Sequence, residues 1–384
     1  MFDHTLVNKF REIKTPFYYY DVDLLRNTLE SLRKQSDKYG YEVHYAVKAN
    51  ANHKILKIIN EYGFGSDCVS GNEIIRSLDT GFPPERIVFA GVGKSDDEII
   101  TGLENDIFCF NCESLQEMEV INDLAAERNK KADIALRINP NIDPKTHHYI
   151  TTGLEENKFG INRWELEKIT NAIKKLKNIN LIGLHFHIGS QITDLEVFRS
   201  LCVHVNEIQD WFAKHNLEFG HLNVGGGLGV NYEQPDEFPI NDFKSFFAIF
   251  NDILDLRPGQ KLHFELGRAI AAQCGSLISR VLYVKEGVNT DFIILDAGMT
   301  DLIRPALYQA YHKVENLTSK GKKKKYDVVG PICESSDTFG KSLMLPETKR
   351  NDLVIIRTTG AYGEVMASQY NLRELPKSIY SDEI

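Results

Sequence analysis

Lys48 sits in Tyr-Ala-Val-Lys-Ala-Asn (45–50), at the close of an apolar, β-rich run. A lysine on a buried strand is costly to desolvate, and desolvation favours the neutral amine that attacks carbonyl carbon. The position therefore fits a Schiff-base lysine, and equally a snorkelling or salt-bridged lysine at a strand end. Gly225-Gly226-Gly227-Leu228-Gly229 would let backbone N–H groups converge on a phosphate, although tight turns also use glycine. His185 and His187 form an H-x-H pair that strand alternation would point to one face. They read either as metal ligands or as one core and one site histidine, and no clustered carboxylates and histidines complete a metal shell. Glu265 and Arg268 close the run Phe-Glu-Leu-Gly-Arg. They read as a structural ion pair, or as a carboxylate facing a protonated ring nitrogen beside a guanidinium that grips phosphate or carboxylate. Farther on, Arg304 and Tyr308 are four apart and share a face if that stretch is helical. Cys333 and Glu334 follow a Gly-Pro turn. The lone C-x-x-C at Cys109 and Cys112 has no second pair, so no metal site is expected.

The elements that must position these residues are legible in the alternation of patterns. Eight β-rich runs lie at 41–50, 63–70, 86–94, 107–114, 132–140, 181–190, 221–229 and 261–268. Helical spacing separates them. Phe198, Leu201, Val205, Ile208 and Phe212 make one apolar stripe, and Leu166, Ile169, Ile173 and Leu176 another. Strand–helix alternation implies parallel pairing. Eight units predict an α/β fold with a closed (β/α)8 barrel, with an open doubly wound sheet as the alternative. A barrel gathers functional groups at the C-terminal ends of its strands, where Lys48, the glycine loop and Glu265–Arg268 fall.

After about residue 270 the runs are strand-like without long helices between them, which predicts a mostly β domain. The strand-like segment at 15–23 is expected to pair into it. The predicted division is a barrel over 25–268, with 1–24 and 269–384 forming the β domain. Lys322–Lys325 reads as a solvated loop or protected sheet edge.

A net charge of −9 argues against broad nucleic-acid binding. No apolar run approaches a membrane span, and the first ten residues lack the pattern of a secretory leader. With six cysteines in 384 residues and no disulfide framework, the expected location is the cytoplasm.

Taken together, these motifs resemble the diaminopimelate decarboxylases, members of the alanine-racemase-like (fold type III) enzymes that use pyridoxal 5′-phosphate (PLP). The likeness covers nearly the whole chain. Tyr-Ala-Val-Lys-Ala-Asn at 45–50, His-Ile-Gly-Ser at 187–190, the glycines at 225–227 and Glu-Leu-Gly-Arg at 265–268 are similar to cofactor-site motifs of the superfamily. The stretch from Asp296 to Tyr308 and Cys-Glu-Ser-Ser-Asp at 333–337 are similar to motifs narrower to the family. One departure is Leu266, where the family usually has a proline.

The resemblance implies decarboxylation of meso-2,6-diaminopimelate to L-lysine by a homodimer with shared active sites. In that expectation Lys48 holds PLP, His187 stacks on its ring and Glu265 contacts the pyridine nitrogen. Ser190, Gly225, Gly226, Gly227, Gly267, Arg268 and Tyr362 hold the phosphate. Cys333 of the partner subunit donates a proton. Arg268, Arg304, Tyr308, Glu334 and Tyr362 bind substrate: the arginines suit its distal carboxylate, and Glu334 suits its ammonium. The alternatives are decarboxylation of ornithine, arginine or carboxynorspermidine, a non-catalytic PLP-binding protein, and a metal-dependent barrel hydrolase.

Overall fold

The computed structural model describes residues 2–142 and 158–384. The chain forms two compact units, 29–229 with 242–267, and 1–28 with 230–241 and 268–384. The division differs from the sequence reading at 25–28 and Arg268, and most at 230–241, which belongs to the second unit although it lies between two barrel strands in sequence.

The first unit is a closed barrel of eight parallel strands. These are β2 (Glu42–Ala46), β3 (Gly65–Cys68), β4 (Ile87–Phe89), β5 (Cys109–Cys112), β6 (Ala132–Arg137), β7 (Ile179–His185), β8 (His221–Asn223) and β9 (Lys261–Leu266). Closure runs through β2 and β9, with Tyr45 opposite Leu266. All eight predicted runs carry a strand, and the helices α3 (His53–Glu61), α4 (Gly71–Asp79), α5 (Asp96–Glu104), α6 (Leu115–Glu127), α7 (Leu166–Ile173), α8 (Glu196–Lys214) and α9 (Phe243–Ile253) lie between them in sequence. The stripe predicted for α8 is its buried face. Side-chain caps define helix starts: Ser70 accepts from the Glu73 amide at 3.2 Å, and Ser114 from the Glu117 amide at 3.1 Å.

Toward the N-terminal ends of its strands the barrel holds three histidines. His44 Nδ1 donates to the Arg86 carbonyl, His44 Nε2 meets His263 Nδ1 at 3.0 Å, and His263 Nε2 meets His221 Nδ1 at 2.9 Å. A carbonyl can only accept, so His44 keeps its proton on Nδ1. That sets the tautomer of each neutral ring in turn. Phe108 stacks against this chain of rings. Cys109 and Cys112 are buried strand residues whose thiols burial pushes up, so they contribute packing.

The second unit is an eight-stranded sheet built on β10 (Gly275–Lys285). Its path runs β12 (Val314–Asn316), β15 (Leu353–Ile356), β10, β11 (Asp291–Leu295), β13 (Lys323–Val329), β14 (Thr338–Pro346). As expected, the N-terminal segment joins this sheet: β1 (Phe17–Tyr20) pairs antiparallel with β10 and parallel with β16 (Lys377–Tyr380). Helix α1 (His4–Glu12) packs Val7 and Phe10 on Phe17, Tyr19, Ile278 and Leu353. Lys322 precedes β13, and Lys323–Lys325 form its first, exposed residues, where β11 does not reach and the strand is paired on one side only. That pairing is with β14, and the lysine side chains stand in solvent.

Among the described residues no helix is long and apolar enough to cross a membrane. The helix α2 (Val22–Tyr39) connects the two units in sequence, and two short helices, α10 (Arg268–Ala271) and α11 (Arg304–Tyr308), carry arginines considered below.

Candidate active site

Glu265 lies deep in the barrel, reached from three other strands. Asn111 Nδ2 donates to Oε1 at 3.1 Å, Asn223 Nδ2 to the same oxygen at 2.8 Å, and His185 Nε2 to Oε2 at 2.9 Å. A carboxylate offers about four acceptor positions. Three are used here, which leaves one on Oε2. Burial would push the Glu265 carboxyl up, but His185, Lys48 and His187 outweigh it and hold the carboxyl well below the usual carboxylate range. Glu265 is thus a buried anion with one acceptor position unused among the described residues. This also decides between the two readings of the H-x-H pair. His185 is a core partner of Glu265, while His187, beyond the strand end, meets the Gly226 amide at 3.4 Å. Burial first, then the Lys48 and Arg137 cations, keeps His187 neutral.

Lys48 departs from its expected setting. It follows β2 in a single 3-10 turn, Val47–Ala49, and its side chain is 36% exposed. The desolvation anticipated for a buried strand lysine is therefore only partial. Its ammonium instead lies 3.5 Å from Asp67 Oδ2 on β3. Asp67 is fully buried and pushed up to about 8, by burial first and then by Glu265, with Lys48 opposing. Asp67 Oδ1 and His185 Nδ1 find no hydrogen-bond partner among the described residues. Asp67, Asn111, His185 and Glu265 come from β3, β5, β7 and β9. Alternate strands are how one layer of a barrel interior is filled.

The glycine loop is a matter of close approach. A Cβ on Gly226 would come within 1.9 Å of the Glu265 carbonyl oxygen, so this backbone lies directly on β9. A Cβ on Gly267 would meet the Ala46 and Ala49 side chains at 3.0 and 2.9 Å, which places Gly267 against the turn that carries Lys48. The loop holding Ser190 is laced to the glycine loop, with the Ile192 amide on the Gly227 carbonyl and the Gly229 amide on the Ile192 carbonyl, both at 2.9 Å. Leu266 is fully buried in β9. The barrel therefore gathers Lys48, His187, Ser190, Gly225, Gly226, Gly227, Glu265 and Gly267 at one end.

In the second unit the predicted arginines and tyrosines also cluster. Arg268 opens α10, donates to the Tyr232 hydroxyl at 2.6 Å and lies 4.7 Å over the Tyr362 ring. Tyr362 holds φ at +56°, a left-handed backbone unusual for a bulky residue. Arg304 opens α11, with its guanidinium 5.8 Å from the ring of Tyr308 one turn on. Arg304 is buried, and no carboxylate pairs with it among the described residues. Burial lowers its pKa, yet a guanidinium stays charged in a protein.

Cys333 and Glu334 stand apart from that cluster. Both are exposed; the Cys333 amide donates to Asn371 Oδ1 and Glu334 accepts from the Tyr370 hydroxyl at 2.8 Å. Asp337 of the same motif is structural. Its oxygens accept from the Met299 and Ile332 amides at 2.6 and 2.7 Å, tying the loop after β11 to the loop after β13.

Sequence reasoning did not single out Asp67, Asn111, Asn223, Tyr232 or His312. An acid inside the buried run Gly-Ser-Asp-Cys was a usable signal for Asp67. The others carry no local signal, because their partners lie far along the chain.

Residues 23–272 match the family model described as "Pyridoxal-dependent decarboxylase, pyridoxal binding domain". The chain is 59% identical over 98% of its length to the diaminopimelate decarboxylase of Bacteroides thetaiotaomicron, covering 98% of that protein. It is 43% identical to the diaminopimelate decarboxylase of Helicobacter pylori over 95% of its own length and 89% of the relative's. The crystal structure of diaminopimelate decarboxylase from Helicobacter pylori complexed with L-lysine superposes with a TM-score of 0.92, at 40% identity, covering 98% of this chain and 94% of that one.

Proposed function

The chain belongs to the pyridoxal-dependent decarboxylases and, within them, to the diaminopimelate decarboxylases, and from that membership we propose that it converts meso-2,6-diaminopimelate to L-lysine and CO2. The observation that carries the substrate is Arg304. A buried guanidinium with no carboxylate partner among the described residues is a standing site for an anion. Diaminopimelate presents a second carboxylate at its non-reacting end. Ornithine and arginine present none, and would leave Arg304 buried without a counter-charge.

The residues present fit PLP. Lys48 supplies an amine, the backbone at Gly226 lies too close to β9 for any side chain, and Glu265 keeps one acceptor position on Oε2. When bound, PLP supplies an electron sink for the pair left on the substrate α-carbon as CO2 departs. Lys48 anchors the cofactor through its amine. Glu265, ionised and held by three donors, would face the ring nitrogen and favour its protonated form. His187, a neutral imidazole, would contact the ring. Ser190, the 225–227 backbone, Gly267, Arg268 and Tyr362 would hold the phosphate. Arg268, Arg304, Tyr308, Glu334 and Tyr362 take the substrate's polar groups. Cys333 returns a proton to the α-carbon.

The reading includes a cytoplasmic homodimer in which each site takes Cys333 and Glu334 from the partner subunit. Their exposure within one subunit supports that assignment. The test is CO2 release by the purified protein with PLP, offered meso-diaminopimelate, ornithine, arginine and carboxynorspermidine. Turnover of meso-diaminopimelate above the others is expected, and preference for a substrate without a distal carboxylate overturns the reading.

A further inference from the structure

His312 is fully buried, and its two ring nitrogens have different obligations. Nδ1 lies 3.0 Å from the Arg357 carbonyl oxygen, which can only accept, so Nδ1 carries the hydrogen. Nε2 is then a bare lone pair, and it faces Arg304 Nε at 3.3 Å. The neutral imidazole is the form the site holds: burial, with Arg304 and Arg268 adding to it, pushes His312 down to about 3. The ring of Tyr232 packs edge-on against His312, at 5.0 Å between centroids.

This arrangement uses the guanidinium's donors unevenly. Nε is taken by His312, and one N–H of Nη2 is directed at the Tyr232 hydroxyl at 3.5 Å. Of the five N–H groups of an arginine, three remain, all on the Nη end. The side edge formed by Nε and its neighbouring Nη is closed to an incoming carboxylate. Nη1 keeps both of its N–H groups and Nη2 keeps one, with no acceptor on them among the described residues. Arg268 also donates to the Tyr232 oxygen, so two guanidinium groups converge on one phenol oxygen. An arriving anion relieves that repulsion.

We propose that His312 is a positioning residue for substrate recognition: by accepting from Arg304 Nε it turns the Nη1/Nη2 end of the guanidinium toward the substrate's distal carboxylate, which binds end-on. The assignment deepens the diaminopimelate reading above and rests on it for the identity of the carboxylate. Shape alone is insufficient for this role, since the group must accept a hydrogen bond at the Nε2 position. His312→Phe keeps a planar ring and loses the acceptor. His312→Gln carries a carbonyl oxygen to about the same place.

The experiment uses PLP-loaded enzyme and steady-state kinetics on meso-diaminopimelate. His312→Phe is expected to raise KM about tenfold or more, with kcat within a few-fold of wild type and the absorbance of bound PLP unchanged. His312→Gln is expected to recover KM to within about threefold of wild type. An unchanged KM in His312→Phe, or equal impairment of the two variants, overturns the proposal. A second arm needs no variant: crystals of the wild-type holoenzyme soaked with pimelate, a dicarboxylate of the same chain length. A carboxylate on Nη1 and Nη2 of Arg304 supports the assignment, and one on the Nε edge, or none at Arg304, overturns it. Failure of wild-type enzyme to release CO2 from meso-diaminopimelate would remove the substrate reading, while the pimelate arm would still judge the role of His312.

Discussion

Single side chains carry most of the chemistry, and their states are set by a few neighbours. Glu265 and Asp67 are both buried carboxyls in one barrel, yet they lie on opposite sides of the usual range. Glu265 receives three donors, one of them His185. Asp67 meets only the partly exposed Lys48, 3.5 Å away, and keeps an oxygen without a partner among the described residues. Pairs of acids pushed apart in this way are what proton-handling sites use. The arginine cluster makes the clearest quantitative prediction. Arg304→Ala removes one charge-assisted contact and is expected to cost about 1.5–3 kcal/mol in kcat/KM, roughly 10–150-fold, on diaminopimelate. Cofactor absorbance should not change. Wild-type kcat/KM in that variant would detach Arg304 from substrate binding.

At the scale of elements, the loops after the barrel strands act as one construction. The loop after β8 lies on β9 at Gly226, the loop after β7 is laced to it through Ile192, and Gly267 at the end of β9 abuts the Lys48 turn. Any side chain at 226 must push this backbone off β9. Gly226→Ala is therefore expected to destabilise the protein by about 1–3 kcal/mol, in the range of overpacked cores, and to weaken PLP binding. Thermal unfolding and PLP titration measure the two effects, and unchanged values in both would contradict the close approach.

At the scale of the whole molecule, two expectations concern assembly and pH. If Lys48 and Cys333 of one site come from different subunits, mixing Lys48→Ala with Cys333→Ala protein regenerates intact sites. Random reassortment of dimers should then restore about a quarter of wild-type activity, and no recovery after subunit exchange would place both residues in one chain. The pH expectation follows from the buried neutral histidines. His44, His263 and His312 are all held below their ordinary value by burial first, His312 at about 3. Below about pH 6.5 the unfolded chain takes up protons that the folded chain refuses. Stability is therefore full above 6.5 and falls with pH toward 3, by at most ~1.4 kcal/mol per pH unit for each histidine. Urea unfolding at pH 7 and pH 5 checks the sign, and greater stability at pH 5 would contradict it.

Sequence by itself determined the barrel and the sheet-forming second half, and it named the candidate site residues. Period-two and period-3.6 patterns report which face of an element is buried, and eight strand–helix alternations leave few ways to close. The N-terminal strand was legible in the same way, since 15–23 reads as strand ahead of the first barrel unit. The twelve residues at 230–241 were not, because their membership of the second unit leaves no mark in local pattern. Nor was the turn at Lys48, where three 3-10 residues separate a partly exposed lysine from the buried one that the pattern implied. Tertiary structure alone decided protonation and aim. Glu265 is ionised because of residues 154, 80 and 42 positions away, and Arg304 is aimed by an imidazole whose tautomer is set by a carbonyl 45 residues distant. A residue's charge state and direction depend on what folding brings beside it, and that is a property of neighbours in space rather than of spacing along the chain.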